Sequence, residues 1–180
     1  MVAPDKASIY PELFPQTARR VSQLSRTDQI LTATADLGAT IDVRRALLDE
    51  KRHVRLYQKT DTHWNQRGAF VAYVAIIDAL RLQLPSIPPP EPLSAFAQET
   101  DRIPGMDLAG MMGLTRVLGE ENLRLVPRNG HRYVVREPAG WTADADIGRV
   151  VTEIPGSTLP RAVVFRDSFM TAVAPFLSEH

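Results

Sequence analysis

The chain has 180 residues, 44% hydrophobic and 23% charged, the proportions of a folded domain with a core and not of a disordered or fibrous chain. Its 21 Lys and Arg balance 21 Asp and Glu, so no net positive field gathers nucleic acid around it, and nucleic acid is not expected as a partner. Cysteine is absent, which excludes disulfides, thiolate zinc sites and a cysteine nucleophile.

The opening residues Met1 to Lys6 hold no apolar run of signal-peptide length, so an export signal would lie outside this chain. Val21, Leu24, Ile30, Leu31 and Leu37 recur among polar residues in a helical pattern from Arg19 to Leu37, ended by Gly38. Ile41-Asp42-Val43 reads as a short strand, Arg44 to Lys51 as a short helix, and Val54-Arg55-Leu56-Tyr57 as a second strand. The apolar stretch from Gly68 to Leu84 is a buried helix, because Asp78 and Arg81 interrupt it before it makes a membrane span. Thr62 or Asn65 caps its start, and Pro85 with the Pro88-Pro89-Pro90 run stops it. From about residue 85 to residue 160 the chain reads as a loop-rich insertion. Within it, Leu123 to Val126 and Tyr133 to Val135 are expected to pair as a hairpin around Asn129-Gly130. Ala162-Val163-Val164-Phe165 is a third strand, followed by a helix. This alternation predicts one α/β sandwich with a largely parallel sheet, its ligand site beyond the carboxyl ends of the strands.

Of four histidines, only His63 has a carboxylate two residues before it in a segment that opens a helix. Asp61 and His63 sit where a strand gives way to a helix, so one turn aims both at the same crevice while Asp61 fixes the imidazole tautomer. Ser168 occupies the comparable place after the third strand, at a helix N-terminus whose free amides and dipole suit an oxyanion. Each residue alone has a plainer reading: Ser168 and Asp61 as helix caps, His63 as a surface or packing histidine. Their joint appearance at two junctions of one sheet favours chemistry. Trp64 reads as a packing anchor. Asp144 and Asp146, near Trp141, have the spacing of a metal carboxylate pair but no matching ligand set, so they read as a solvated loop; neither metal nor cofactor is expected.

These residues resemble the alginate O-acetyltransferase branch of the SGNH hydrolase superfamily. Pro4-Asp5-Lys6 with Ile9-Tyr10-Pro11-Glu12 is similar to the family's early lysine-containing turn, Tyr57 through Trp64 to its Asp-x-His-Trp block, and Phe165-Arg166-Asp167-Ser168-Phe169 to its nucleophile block. Met106-Asp107-Leu108-Ala109 and Met111-Met112-Gly113-Leu114 resemble a segment between them, so the likeness runs through nearly the whole chain. It implies a three-layer SGNH sandwich around a mostly parallel sheet, incomplete here at both chain ends. It also implies Ser168 as nucleophile, His63 as general base and Asp61 as the orienting carboxylate. The implied activity is acetyl transfer to hydroxyls of an exported, alginate-like polysaccharide through an acetyl-serine, in the periplasm, with acetyl supplied by a membrane O-acyltransferase partner. The alternatives are a carbohydrate esterase of the same type and a non-catalytic polysaccharide-binding or assembly module.

Overall fold

A computed structural model describes residues 1–38, 40–136 and 150–180. Asp144, Asp146 and Trp141 lie outside the described residues. The elements run α1 (Lys6–Ile9), α2 (Arg26–Ala33), α3 (Arg44–Glu50), α4 (Gln66–Gln83), β1 (Phe96–Ile103), α5 (Asp107–Met111), β2 (Glu120–Pro127), β3 (Val134–Arg136), β4 (Val151–Glu153) and α6 (Ser168–Ser178), with short 3-10 turns at Pro11–Leu13, Ala35–Leu37 and Leu93–Ala95.

Helix α4 is the scaffold. Asn65 caps it, its side chain accepting from the Arg67 and Gly68 amides, so of the two candidate caps Asn65 takes the role. Its apolar face packs on α6, where Phe70, Tyr73, Phe96 and Phe176 form a cluster: the Phe70–Phe176 and Phe96–Phe176 ring centroids are each 5.5 Å apart, and both pairs meet edge to face. Among the described residues no helix is long and apolar enough to cross a membrane.

Several elements depart from the sequence expectation. The helical pattern over 19–37 shortens to α2 plus one 3-10 turn, closed by Gly38 at φ 60°, and Val21 stands fully in solvent. The parallel sheet is not seen: among the described residues the strands pair only antiparallel, β1 with β2 and β3 with β4. Ile41–Val43 and Val54–Tyr57 carry buried side chains, but their backbones find partners without a ladder. The Leu56 amide donates to Tyr10 Oη (3.0 Å), the Leu56 carbonyl accepts from the Asn65 amide (2.8 Å) and the Arg55 carbonyl from Asn65 Nδ2 (2.7 Å). Apolar runs record burial, and extended chain pressed onto a helix satisfies that as well as a strand does. Ala162–Phe165 is not a strand either, and Val163 and Phe165 are exposed.

The hairpin expected around Asn129-Gly130 is also corrected. Gly130 does turn the chain at φ 74°, but β2 pairs along its whole length with β1, from Phe96 opposite Pro127 to Ile103 opposite Glu120, while β3 pairs with β4. Eight paired positions outcompete a four-residue run.

Gly68, in the first turn of α4, lies so close to the turn before it that an added Cβ would sit 2.5 Å from the Leu56 carbonyl oxygen and 2.8 Å from Trp64 Cβ. Alanine is favoured over glycine in a helix by about 1 kcal/mol. Here the clash should outweigh that preference: Gly68→Ala is expected to lower stability by about 2 kcal/mol in urea unfolding, whereas an unchanged or higher midpoint would contradict the close approach.

Candidate active site

The segment Gln58 to Trp64 has no regular structure, yet its backbone is closely held. An isolated bridge joins Tyr57 to Trp64, and the Gln58 amide donates to the His63 carbonyl (3.2 Å), which folds the residues between into a loop. Buried Asp61 lies inside the loop. Its Oδ1 accepts from the His63 amide (2.9 Å) and faces His63 Nδ1 at 2.5 Å. An ionised carboxylate only accepts, so Nδ1 carries the proton and Nε2 is left as the acceptor. His63 Nε2 lies 2.7 Å from Ser168 Oγ, across 105 residues of sequence.

Ser168 reaches this place because α6 begins on it. Asp167 is the N-cap, its carboxylate accepting from the Met170 amide (3.1 Å). The capping role considered for Ser168 therefore belongs to its neighbour, and the Ser168 hydroxyl points at the imidazole. The first turn of α6 is locked against the His63 loop. Trp64 Nε1 donates to the Phe169 carbonyl (2.9 Å), the Trp64 and Phe169 rings meet edge to face at 5.1 Å, and His63 lies 4.6 Å from the Phe169 ring. Trp64 is buried and is the packing anchor the sequence suggested. Ser168 itself is exposed, so a bulky reactant has access to it.

Two carboxylates missed by sequence reasoning complete the surroundings. Glu120, buried at the start of β2, accepts from the Lys59 amide (2.6 Å), the Thr60 amide (2.8 Å) and Thr60 Oγ1 (2.5 Å), and pairs with Arg55 (3.1 Å). Burial opposes its ionisation, but the bonds from Thr60 and Lys59 and the Arg55 charge outweigh this and hold its carboxyl below the usual range. Asp107, the first residue of α5, accepts from the Thr62 amide (2.8 Å) and from Thr62 Oγ1. The Lys6 ammonium donates a hydrogen bond to the Asp61 carbonyl. Burial pushes the Lys6 ammonium below its ordinary value, against the pull of Asp61, Glu120 and Asp107. Asp61, His63 and Asp107 are also the group, among the described residues, whose donor atoms lie close enough to share a cation, all within 4.8 Å of one another. Asp61 Oδ1 and both Asp107 oxygens already accept hydrogen bonds within the protein.

With that geometry in place, comparison with known proteins decides the family. A profile of the SGNH hydrolase-like domain of the acetyltransferase AlgX matches residues 1–145, which include Asp61, His63, Asp107 and Glu120. The chain belongs to this family. It is thus an SGNH-like α/β domain, related to acetyltransferases. Among curated proteins none matches. A solved structure of a DHHW family protein from Eubacterium siraeum superposes with a TM-score of 0.69 at 17% identity, covering 98% of this chain and 64% of that one. The O-acetyltransferase domain of Pseudomonas putida AlgJ gives a TM-score of 0.47 at 24% identity, covering 69% of this chain and 48% of that one. The chain thus spans less than two thirds of either solved chain. At these identities the likeness to the first speaks for the fold alone, and the partial superposition on the second adds nothing to it.

The Glu120 anchor has a definite pH signature. Because its folded carboxyl lies below the unfolded value of about 4.3, its contribution is complete above that pH and fades as pH falls through the folded value. Glu120→Gln is expected to cost about 3 kcal/mol at pH 7, with the gap to the parent protein narrowing in unfolding curves taken stepwise below pH 4. A gap that stays constant down to pH 2 would contradict the ionised anchor.

Proposed function

We propose that the chain is a serine O-acetyltransferase acting on hydroxyls of an exported, alginate-like polysaccharide. The observation that carries this reading is the 2.7 Å approach of His63 Nε2 to Ser168 Oγ with Asp61 on the other ring nitrogen, in a chain of an acetyltransferase family.

Ser168 Oγ attacks the acetyl carbonyl carbon of the donor while His63 Nε2 takes the hydroxyl proton, and Asp61 stabilises the imidazolium. The oxyanion meets the Ser168 and Phe169 amides at the start of α6, which helix geometry leaves without intrahelical acceptors, the next amide, of Met170, being taken by Asp167. Collapse of the tetrahedral intermediate expels the donor's leaving group, which takes the proton from His63, and leaves acetyl-Ser168. An acceptor hydroxyl then gives its proton to His63 and attacks the same carbonyl. Ser168 departs reprotonated, and the acetyl group is on the sugar. The exposed serine suits a polymeric acceptor. A periplasmic setting and a membrane O-acyltransferase that delivers acetyl are part of the proposal and rest on the family likeness. Water in place of the sugar would make the same site a carbohydrate esterase.

Turnover of 4-nitrophenyl acetate, with and without an oligosaccharide acceptor, tests the proposal. Acetylated oligosaccharide is the expected product; free acetate alone supports the esterase, and saccharide binding with no turnover supports a binding module. Ser168→Ala and His63→Ala are each expected to lower turnover by about a thousandfold or more, and the double variant to match either single one, because a base without its nucleophile has no proton to take. Ser168→Ala should cost the fold no more than about 1 kcal/mol, since Asp167 keeps the cap. Additive losses would contradict a shared step.

A further inference from the structure

Asp107 sits 46 residues beyond Asp61 in sequence, yet both its carboxylate oxygens are spent on Thr62, the residue between Asp61 and His63. The main-chain bond, from Thr62 N to Oδ1, is 2.8 Å, and the second comes from Thr62 Oγ1. Asp107 is itself delivered by backbone contacts with the same loop. The Leu108 amide donates to the Thr60 carbonyl (3.0 Å) and the Met106 amide to Thr60 Oγ1 (3.1 Å). Behind it Gly105 packs so tightly that an added Cβ would meet Ala109 Cβ at 2.4 Å, so the start of α5 cannot drift outward without losing that packing. The carboxylate lies 3.9 Å from His63 Nδ1, beyond hydrogen-bonding distance, so its grip on the imidazole is indirect.

We infer that Asp107 is a positioning residue for the base: by clamping the amide and the hydroxyl of Thr62 it fixes the peptide plane that joins Asp61 to Thr62, and so the direction in which His63 Nε2 meets Ser168. The inference rests on the reading of His63 as the base. One oxygen of Asp61 already serves both the amide and the ring of His63, so rotation about Thr62 would move the ring away from Asp61 and Ser168 together. Asp107 is partly exposed and stands outside the apolar core, which separates its role in aiming the base from a role in holding the fold. Burial resists its charge, but the Thr62 and Leu108 bonds and His63 outweigh this, so its carboxyl stays below the ordinary range and remains an acceptor at neutral pH.

The test compares Asp107→Ala, Thr62→Val and Thr62→Ser with the parent chain. For Asp107→Ala and Thr62→Val, the phosphonylation rate of Ser168 by a fluorophosphonate and kcat for 4-nitrophenyl acetate should fall on the order of tenfold to a hundredfold, with KM and melting temperature nearly unchanged. The two changes together should do no more than one. Thr62→Ser, which keeps the hydroxyl, should restore the parental rate. A parental rate in Asp107→Ala, or additive losses in the double variant, would overturn the inference. To keep this separate from the role of Ser168, the low-field proton resonance of the His63–Asp61 hydrogen bond is followed in Ser168→Ala protein. It should broaden or vanish when Asp107→Ala is added, and its persistence unchanged would overturn the inference whatever the nucleophile proves to be.

Discussion

The loop from Lys59 to His63 must present a histidine in one orientation without the help of a helix or strand ladder. Its polar backbone groups therefore need partners from elsewhere in the chain, and buried polar groups left without them are costly. Most of the surrounding architecture supplies these partners. Lys6 takes the Asp61 carbonyl, Glu120 the Lys59 and Thr60 amides, Asp107 the Thr62 amide, and the start of α5 the Thr60 carbonyl. The loop is held in place because three distant segments, at Lys6, at Asp107–Leu108 and at Glu120, each bind a piece of it, and the imidazole inherits that restraint.

The serine is brought to the loop by a separate device. Helix α6 packs on α4 through the Phe70, Tyr73 and Phe176 rings, and its first turn is pinned to the loop through Trp64 and Phe169. Because Asn65 caps α4 directly after Trp64, helix, anchor and histidine form one continuous stretch of chain. Stability of the aromatic core and alignment of Ser168 with His63 are thus coupled through α4, whose close approach to the Leu56 carbonyl depends on Gly68.

Much of the site was legible in the sequence and less of the fold. Asp61, His63 and Ser168 stood out because a carboxylate two residues before a histidine and a serine at a helix start are local patterns, and helix junctions are where such side chains converge. Helix α4 showed itself by its apolar run, its Asn65 cap and the prolines beyond it. The strands misled, since Val43, Leu56 and Tyr57 are apolar because they are buried, and only Tyr57 finds a strand-like partner, in a single bridge to Trp64. The β1–β2 pairing went unseen for the opposite reason: Leu123 to Val126 read as a strand, but its partner β1 did not. Gln98, Glu99, Asp101 and Arg102 face Leu125, Arg124, Asn122 and Glu121 on a largely solvated ribbon, where no apolar alternation marks a strand. Asp107 and Glu120 were missed as partners because their meaning is set by residues 45 to 61 positions away. Asp107 stood within a segment noted only for its family likeness. No spacing rule joins such residues, although an acidic residue opening a short helix was a signal that it could hold a neighbouring loop.

Acetyl transfer by the proposed route requires the acetyl group to pass through Ser168. Incubating the chain with an activated acetyl ester, quenching in acid and mapping the peptides by mass tests this most directly. One acetyl group is expected, on the peptide that carries Ser168, and it should disappear when an oligosaccharide acceptor is added before the quench. An acetyl group mapped to any other residue, or turnover of the ester with Ser168 never modified, would contradict this route.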